Sequence, residues 1–316
     1  MRGCIEDEGL ITMRAVAPSY YPLFRCIAGG CKHTCCANWE VDIDPETYDE
    51  YLNMSGAFAE RIRSSIAVED DGSSVGEPHF VLRPDGRCPM LRDDGLCDLI
   101  LECGEEALCR VCDEHPRFYN FRSDVVECGL GLSCEAALSL ILGWDKGFEL
   151  TDITDSSPMG EGLKSAPSEE PDELEIEIYE ARDNAIRFVS DRSMPLSSRV
   201  RELAPDLWST GERLKVLKSL EVLSSEWVEI YSRIREDADP FALLDDTAYT
   251  LAFENLLIYL LFRYPWEGAR LACELLMMTA DCLAGDPGAD LYDIVREFSA
   301  NVEYSDQNVD SVVEKI

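Results

Sequence analysis

Histidine is almost missing from this sequence: His33, His79 and His115 are the only three among 316 residues. A catalytic metal site built on imidazoles needs two or three of them at set spacing, so that class is excluded as the organising chemistry. Lysine is scarce as well, 6 residues against 22 arginines, while 63 acidic residues bring the formal net charge to −35. That balance excludes a face for a nucleic-acid backbone. It fits a basic, lysine-bearing protein partner, and acids spread along the whole chain equally make a well-solvated surface. No Gly-rich loop follows a strand in the manner of nucleotide-binding folds, and there is no GxSxG nucleophile motif. Long apolar runs are missing too. The longest, LAFENLLIYLLF at residues 251–262, is broken by Glu254 and Asn255 and falls short of the roughly 20 residues a membrane helix needs. The first residues carry Glu6, Asp7 and Glu8 and no apolar stretch of signal-peptide length. The expectation is a soluble, cytoplasmic protein without a membrane partner, in a reducing compartment.

Cysteine, by contrast, is abundant, with 14 residues of which twelve precede residue 135. The densest stretch, FRCIAGGCKHTCC, puts Cys26, Cys31, Cys35 and Cys36 within eleven residues. CPMLRDDGLC adds Cys88 and Cys97, CGEEALCRVC adds Cys103, Cys109 and Cys112, and ECGLGLSC adds Cys128 and Cys134. A chain of this length buries enough core to fold without disulfide staples. In a reducing compartment, clustered thiols then point to a metal or an iron–sulfur cluster, whose preferred ligands are thiolates. Nine or more thiols exceed one tetrahedral zinc. Two reasonable arrangements remain: two metal sites, or a four-iron cluster on four thiols with others in structural roles. Adjacent side chains diverge in regular structure, which points to one of Cys35 and Cys36 as the ligand. His33, inside the first group, is a further possible ligand. The cysteine spacing of radical S-adenosylmethionine enzymes, gaps of three and then two residues, is absent because Cys36 follows Cys35 directly. Cys273 and Cys282 fall in a helical pattern as small core residues.

Along the chain, Val41 to Ile43 alternate as a short strand, and Asp44 followed by Pro45 starts a helix. EDDGSSVGEP is a loop. FVLRPDGRCPMLRDDGLC predicts a hairpin-like pair of strands with turns at Pro84-Asp85-Gly86 and Asp93-Asp94-Gly95. GEEALCRVC predicts a turn or two of helix with Cys109 and Cys112 on one face, and FYNFRSDVVEC a strand. Ser133 is positioned to cap a helix running to Gly143 with Cys134 in its first turn, where the helix dipole favours thiolate. Residues 151–172, rich in Ser, Pro and Gly, read as a linker. Beyond it the pattern is helical, with helices near 174–190, 196–207, 240–264, 267–284 and 289–302 and one buried face through Leu214, Leu217, Leu220, Leu223, Trp227, Ile230 and Ile234. The expected fold is mostly α: a small Cys-rich α+β part over 1–150 carrying a metal or iron–sulfur centre, the linker, and a helical domain over 173–316.

FRCIAGGCKHTCCANWEVDID, CPMLRDDGLC, GEEALCRVCDEHPR and LSCEAALSLIL, in that order, resemble the flagellin lysine N-methylase (FliB-type) family, and the first three blocks also resemble the wider group of Cys-rich zinc- or iron-chelating domains. The resemblance covers residues 20–143 and extends loosely to FENLLIYLLFRY. HPR stands where the family shows YPR, and no Pro follows Cys134. The resemblance implies methyl transfer from S-adenosylmethionine to a lysine amine of flagellin or a similar surface protein, with an iron–sulfur cluster of the four-iron type. The matched cysteines are Cys26, Cys31, Cys35, Cys36, Cys88, Cys97, Cys109, Cys112 and Cys134. Trp39, Glu40, Tyr48, His115, Arg117 and Tyr119 are helpers whose default reading is structural, and neither a catalytic base nor a donor pocket is assigned. The competing expectation is a non-enzymatic zinc- or iron-binding protein.

Overall fold

A computed structural model describes residues 13–39, 41–69, 76–156 and 170–316. In chain order the strands are β1 (Arg14–Pro18), β2 (Val41–Asp42), β3 (Ile66–Glu69), β4 (Glu77–Phe80), β5 (Arg117–Phe121), β6 (Val125–Leu130) and β7 (Leu150–Asp152). The chain divides into two compact units. One comprises Arg25–Arg117 with Cys134–Ala136, and the other Phe118–Ser133 and Ala137–Ile316 together with the described residues before Arg25. The boundary thus does not follow residue 150. The first strand and the 118–133 segment group with the helices, because β1 pairs with β6 and β7. Of the expected linker, Leu150–Asp152 and Thr154–Ser156 are strand and 3-10 turn, and 157–169 lie outside the described residues.

The cysteine-bearing unit holds an antiparallel sheet in the order β2-β4-β3. It also has short helices α1 (Pro45–Asn53), α2 (Ala57–Ser64), α3 (Asp98–Cys103) and α4 (Arg110–Glu114). The β2 strand and the helix start at Asp44-Pro45 form as the sequence predicts, with the Asp44 carboxylate accepting from the Thr47 N–H. Val41, Ile43, Tyr51, Ile62, Phe80, Met90, Leu91 and Leu99 form its core, and Cys88 and Cys109 are buried among them. Of the predicted strand pair over residues 80–97 a single internal bridge remains, Leu91 with Cys97, while Phe80 ends β4 and Arg87 bridges to Ala37 outside the segment. Two tight turns, closed by Gly86 N–H to Arg83 O and Gly95 N–H to Arg92 O, use up the residues a ladder would need.

The other unit combines a sheet in the order β5-β6-β1-β7 with the helices. FYNFRSDVVEC accordingly gives two strands rather than one, since Ser123 and Asp124 sit at a turn between β5 and β6. Helix α5 (Glu135–Leu142) begins one residue after Cys134. Ser133 does not cap it: the Ser133 hydroxyl has no hydrogen-bond partner among the described residues. The remaining helices are α6 (Glu173–Ser190), α7 (Leu196–Leu203), α8 (Thr210–Leu217), α9 (Ser225–Ser232), α10 (Pro240–Leu244), α11 (Thr250–Arg263), α12 (Gly268–Gly285), α13 (Leu291–Phe298) and α14 (Asp306–Val313). The leucine stripe from 214 to 234 is split between α8 and α9, and Leu223 is exposed. Ser209 and Ser224 each cap a separate start, and Asn308 satisfies both backbone groups of Glu221 in the break. The segments near 240–264 and 289–302 are likewise split, the latter by a π turn at Ser299–Glu303.

Helices α11 and α12 form the centre of this unit, and every residue from Leu271 to Leu283 is buried. That explains the apolar run at 251–262, and no helix among the described residues is long and apolar enough to cross a membrane. Cys273 and Cys282 lie in this core, as expected, and burial pushes the Cys273 thiol up to about 12. The buried acids of the two helices are matched by arginine: Glu254 by Arg192 at 2.7 Å and Arg199 at 2.8 Å, and Asp281 by Arg213 at 2.6 Å. A rigid guanidinium fork suits buried carboxylates better than an ammonium, which is one reason for arginine over lysine here.

Candidate functional site

The first cysteine loop folds back on itself through two turns, Gly30 N–H to Ile27 O and Cys31 N–H to Ala28 O. The Ala28 N–H points at the Cys26 sulfur at 3.4 Å. Glycine is required where this loop meets the Asp94-Gly95 turn. A Cβ on Gly29 would lie 2.5 Å from the Asp94 carbonyl oxygen, and Gly95 has φ +79° with its own Cβ position 2.7 Å from Gly29 Cα. Glu135 closes the arrangement, its carboxylate accepting the Lys32 N–H at 3.1 Å and the His33 N–H at 2.5 Å. This clamp places Cys134 beside the loop. Burial, followed by the charges of Glu135, Cys134 and Cys26, pushes the Cys31 thiol up to about 11.

A second group assembles on backbone pairing. Asn38 N–H bonds Gly86 O and Cys88 N–H bonds Cys36 O, both at 2.8 Å, bringing Cys36 to Cys88. The Leu91–Cys97 bridge and Asp98 N–H to Met90 O bring Cys97 to the same place. Cys109 immediately precedes α4 and Cys112 lies within it, with Cys112 N–H on Cys109 O at 2.9 Å. That segment is fixed to α1 by Arg110 N–H to the Asp44 carboxylate at 2.8 Å and by the Tyr51 hydroxyl donating to Ala107 O at 2.7 Å. Burial pushes the Cys88 thiol up to about 11, and the N–H groups of Met90 and Leu91 directed at its sulfur act in the opposite sense. Cys97 is raised by burial too, against the N–H groups of Ile100 and Leu99. Hydrogen bonds from backbone N–H to sulfur stabilise thiolate, and they are among the devices that tune metal–thiolate centres.

Among the described residues two thiols are held below their ordinary value. A hydrogen bond from Cys35, helped by one from Thr34, brings Cys36 down to about 7, and a hydrogen bond from Cys112 lowers Cys109. The expectation that Cys35 and Cys36 diverge is corrected, since their thiols hydrogen-bond each other. Exposure still separates them: Cys35 faces solvent, while Cys36 packs on the unit's core. Cys103 is partly buried against that core beside Glu102 and Glu106, and Cys128 is buried in β6 of the other unit.

Among the helpers, Trp39 donates its ring N–H to Cys35 O and lies 6.2 Å from the His115 ring, and Tyr48 packs on the core. Burial, and then Arg117, hold His115 down at about 4, so its ring is neutral. Arg117 donates to Asp113 O, Tyr119 lies against Phe121 in the other unit, and Glu40 lies outside the described residues. His33 contributes its backbone N–H to Glu135. Sequence reasoning missed Glu135, Thr34 and the Gly29–Gly95 contact. An acid directly after Cys134 was the available signal for the first, and nothing local marks the others.

Among the described residues no three of these sulfurs lie within 4.8 Å of one another. Sulfurs around one tetrahedral zinc are about 4 Å apart, so the gathering is wider than a single zinc ion draws its ligands. The donor set is all thiol, with N–H groups on its sulfurs and an apolar core behind it. That chemistry suits a thiophilic metal or an iron–sulfur cluster.

The chain is 28% identical over 141 residues to the lysine-N-methylase of Salmonella typhimurium (strain LT2), a stretch covering 43% of this chain and 34% of that protein. The lysine-N-methylase of Salmonella choleraesuis matches with the same figures, 28% over 141 residues. The flagellar biosynthetic protein FliU of Salmonella muenchen is 30% identical over 129 residues, covering 40% of this chain and 75% of FliU. The chain therefore spans about a third of the length of the two methylases, at 34% of each. No family model matches it. No solved structure matches it either.

Proposed function

The chain belongs to the lysine-N-methylase family of these FliB- and FliU-type relatives, and from that premise we propose that it is a protein-lysine N-methyltransferase. Its methyl donor in this reading is S-adenosylmethionine, and its substrate is flagellin or a similar lysine-bearing surface protein met in the cytoplasm. The observation that carries the reading is the match to proteins named for lysine methylation and flagellar biosynthesis, in a chain whose cysteine loops converge in one compact unit.

In the reaction the lone pair of a neutral lysine nitrogen attacks the donor methyl carbon. The carbon–sulfur bond breaks, the thioether leaves and the nitrogen loses a proton. The amine must be neutral first, which desolvation or a nearby base achieves. A net charge of −35 draws a lysine-bearing segment towards the protein. Cys26, Cys31, Cys35, Cys36, Cys88, Cys97, Cys109, Cys112 and Cys134 would hold the metal, as an iron–sulfur cluster of the four-iron type with zinc as the alternative. A cluster held by these cysteines would supply Lewis-acid binding for the polar groups of the donor.

The test is methyl transfer from isotope-labelled S-adenosylmethionine to purified flagellin by anaerobically prepared protein, read by mass spectrometry of flagellin peptides. Labelled methyl-lysine is the expected product. Folded, metal-loaded protein that labels no lysine would leave the non-enzymatic zinc- or iron-binding reading in its place.

A further inference from the structure

Nine cysteines are too many for one four-coordinate centre, and their surroundings sort them. Cys88 and Cys109 are buried inside the apolar core of their unit, with Cys36, Cys97 and Cys112 packed directly against it. Cys26 and Cys35 are exposed, Cys31 and Cys134 are half-buried, and none of these four belongs to that core. The two sets are also built by different devices. The inner one rests on the pairing of residues 36–38 with 86–88, the Leu91–Cys97 bridge and the Cys109–Cys112 turn. The outer one rests on the Glu135 carboxylate holding the Lys32 and His33 N–H groups.

We infer that the nine cysteines make two separate thiolate centres, an inner one in the core on Cys36, Cys88, Cys97, Cys109 and Cys112, and an outer one at the surface on Cys26, Cys31, Cys35 and Cys134. Each set supplies at least the four thiolates that a four-iron cluster takes. The inner centre is closed by the core and holds the unit together. The outer centre faces solvent, where a small molecule can reach it. Cys35 and Cys36, whose thiols hydrogen-bond each other, are the seam where the two sets meet, Cys36 packed on the core and Cys35 exposed. This inference rests on the reading of these cysteines as metal ligands.

The test uses the full chain, prepared anaerobically, with iron, acid-labile sulfide and zinc measured separately and metal release followed after adding a chelator. Wild-type protein is expected to release metal in two phases. The variant Cys26→Ser/Cys134→Ser is expected to lack the fast, accessible pool, retain the slow one and keep its far-ultraviolet circular dichroism. Loss of all metal from that variant with its fold intact would mean one shared centre, and unchanged metal would mean no outer centre. Either result overturns the inference. Because inner variants can fail to fold, Cys88→Ser/Cys109→Ser, which leaves only three inner thiolates, is read only against the wild-type slow phase, which it is expected to abolish, and retention of that phase also overturns the inference. Wild-type protein that takes up neither iron nor zinc fails at the underlying reading instead, a result distinct from the others. Iron with sulfide, or zinc, in each phase identifies the kind of centre.

Discussion

Gly29 and His115 constrain the cysteine unit, one through space and one through charge. A methyl group at Gly29 meets the Asp94 carbonyl at 2.5 Å, a backbone atom that cannot swing away. Gly29→Ala is expected to cost about 1–3 kcal/mol, the range for overpacking a close contact, measured as a lowered urea midpoint. His115 is held at about 4 against an ordinary 6.5 by burial and by Arg117. Its folded-state value is depressed, so between these limits the unfolded chain binds more protons. Stability is complete above the ordinary value and is lost as pH falls towards 4. Urea midpoints measured across that window should decline on acidification, and His115→Phe should flatten the decline. Neither residue was legible from the sequence in this role. Gly29 reads as an ordinary turn glycine until the distant Gly95 turn is placed on it, and His115 becomes a neutral ring only once the fold desolvates it and sets Arg117 and Trp39 near it.

Asp44 links two elements. Its carboxylate caps α1 through Thr47 and also accepts the Arg110 N–H at 2.8 Å, so one side chain fixes the helix and the start of the Cys109–Cys112 turn. Asp44→Ala is expected to lose about 1–2 kcal/mol, the upper part of the capping range, because two N–H groups lose their acceptor. Its effect on metal release should exceed that of a remote cap such as Ser224→Ala. Elements with a capping residue or a clear period were legible: β2, α1, α6 and α12 lie where pattern places them. Helix breaks at 218–224 and 245–249 were hidden, because apolar spacing continues across them while Ser224, Asn308 and Asp246 redirect the backbone. The strands β1 and β7 are short and take their identity from partners far away in sequence, information a local pattern does not hold.

At the scale of the whole chain, two compact units imply two responses to metal removal. The helical unit carries its own core on α11 and α12 and its own buried pairs. The cysteine unit has a smaller core in which thiols are an integral part. Chelation is expected to leave most helical circular dichroism in place while residues 25–117 become open to proteolysis, mapped by mass spectrometry of the fragments. Simultaneous loss of both would contradict that division. The cysteine count announced such a unit, but its limits did not follow the composition break near residue 150. Strand pairing sends β1 and the 118–133 segment to the helices, and Glu135 carries Cys134 back to the cysteines.

X-ray absorption at the metal edge of the anaerobically purified full chain tests the central claim most directly, that thiolates from distant loops enclose an inorganic centre. A first shell made of sulfur at about 2.3 Å is predicted. A shell of oxygen and nitrogen alone, or a folded protein with no metal and its cysteines joined as disulfides, would contradict it.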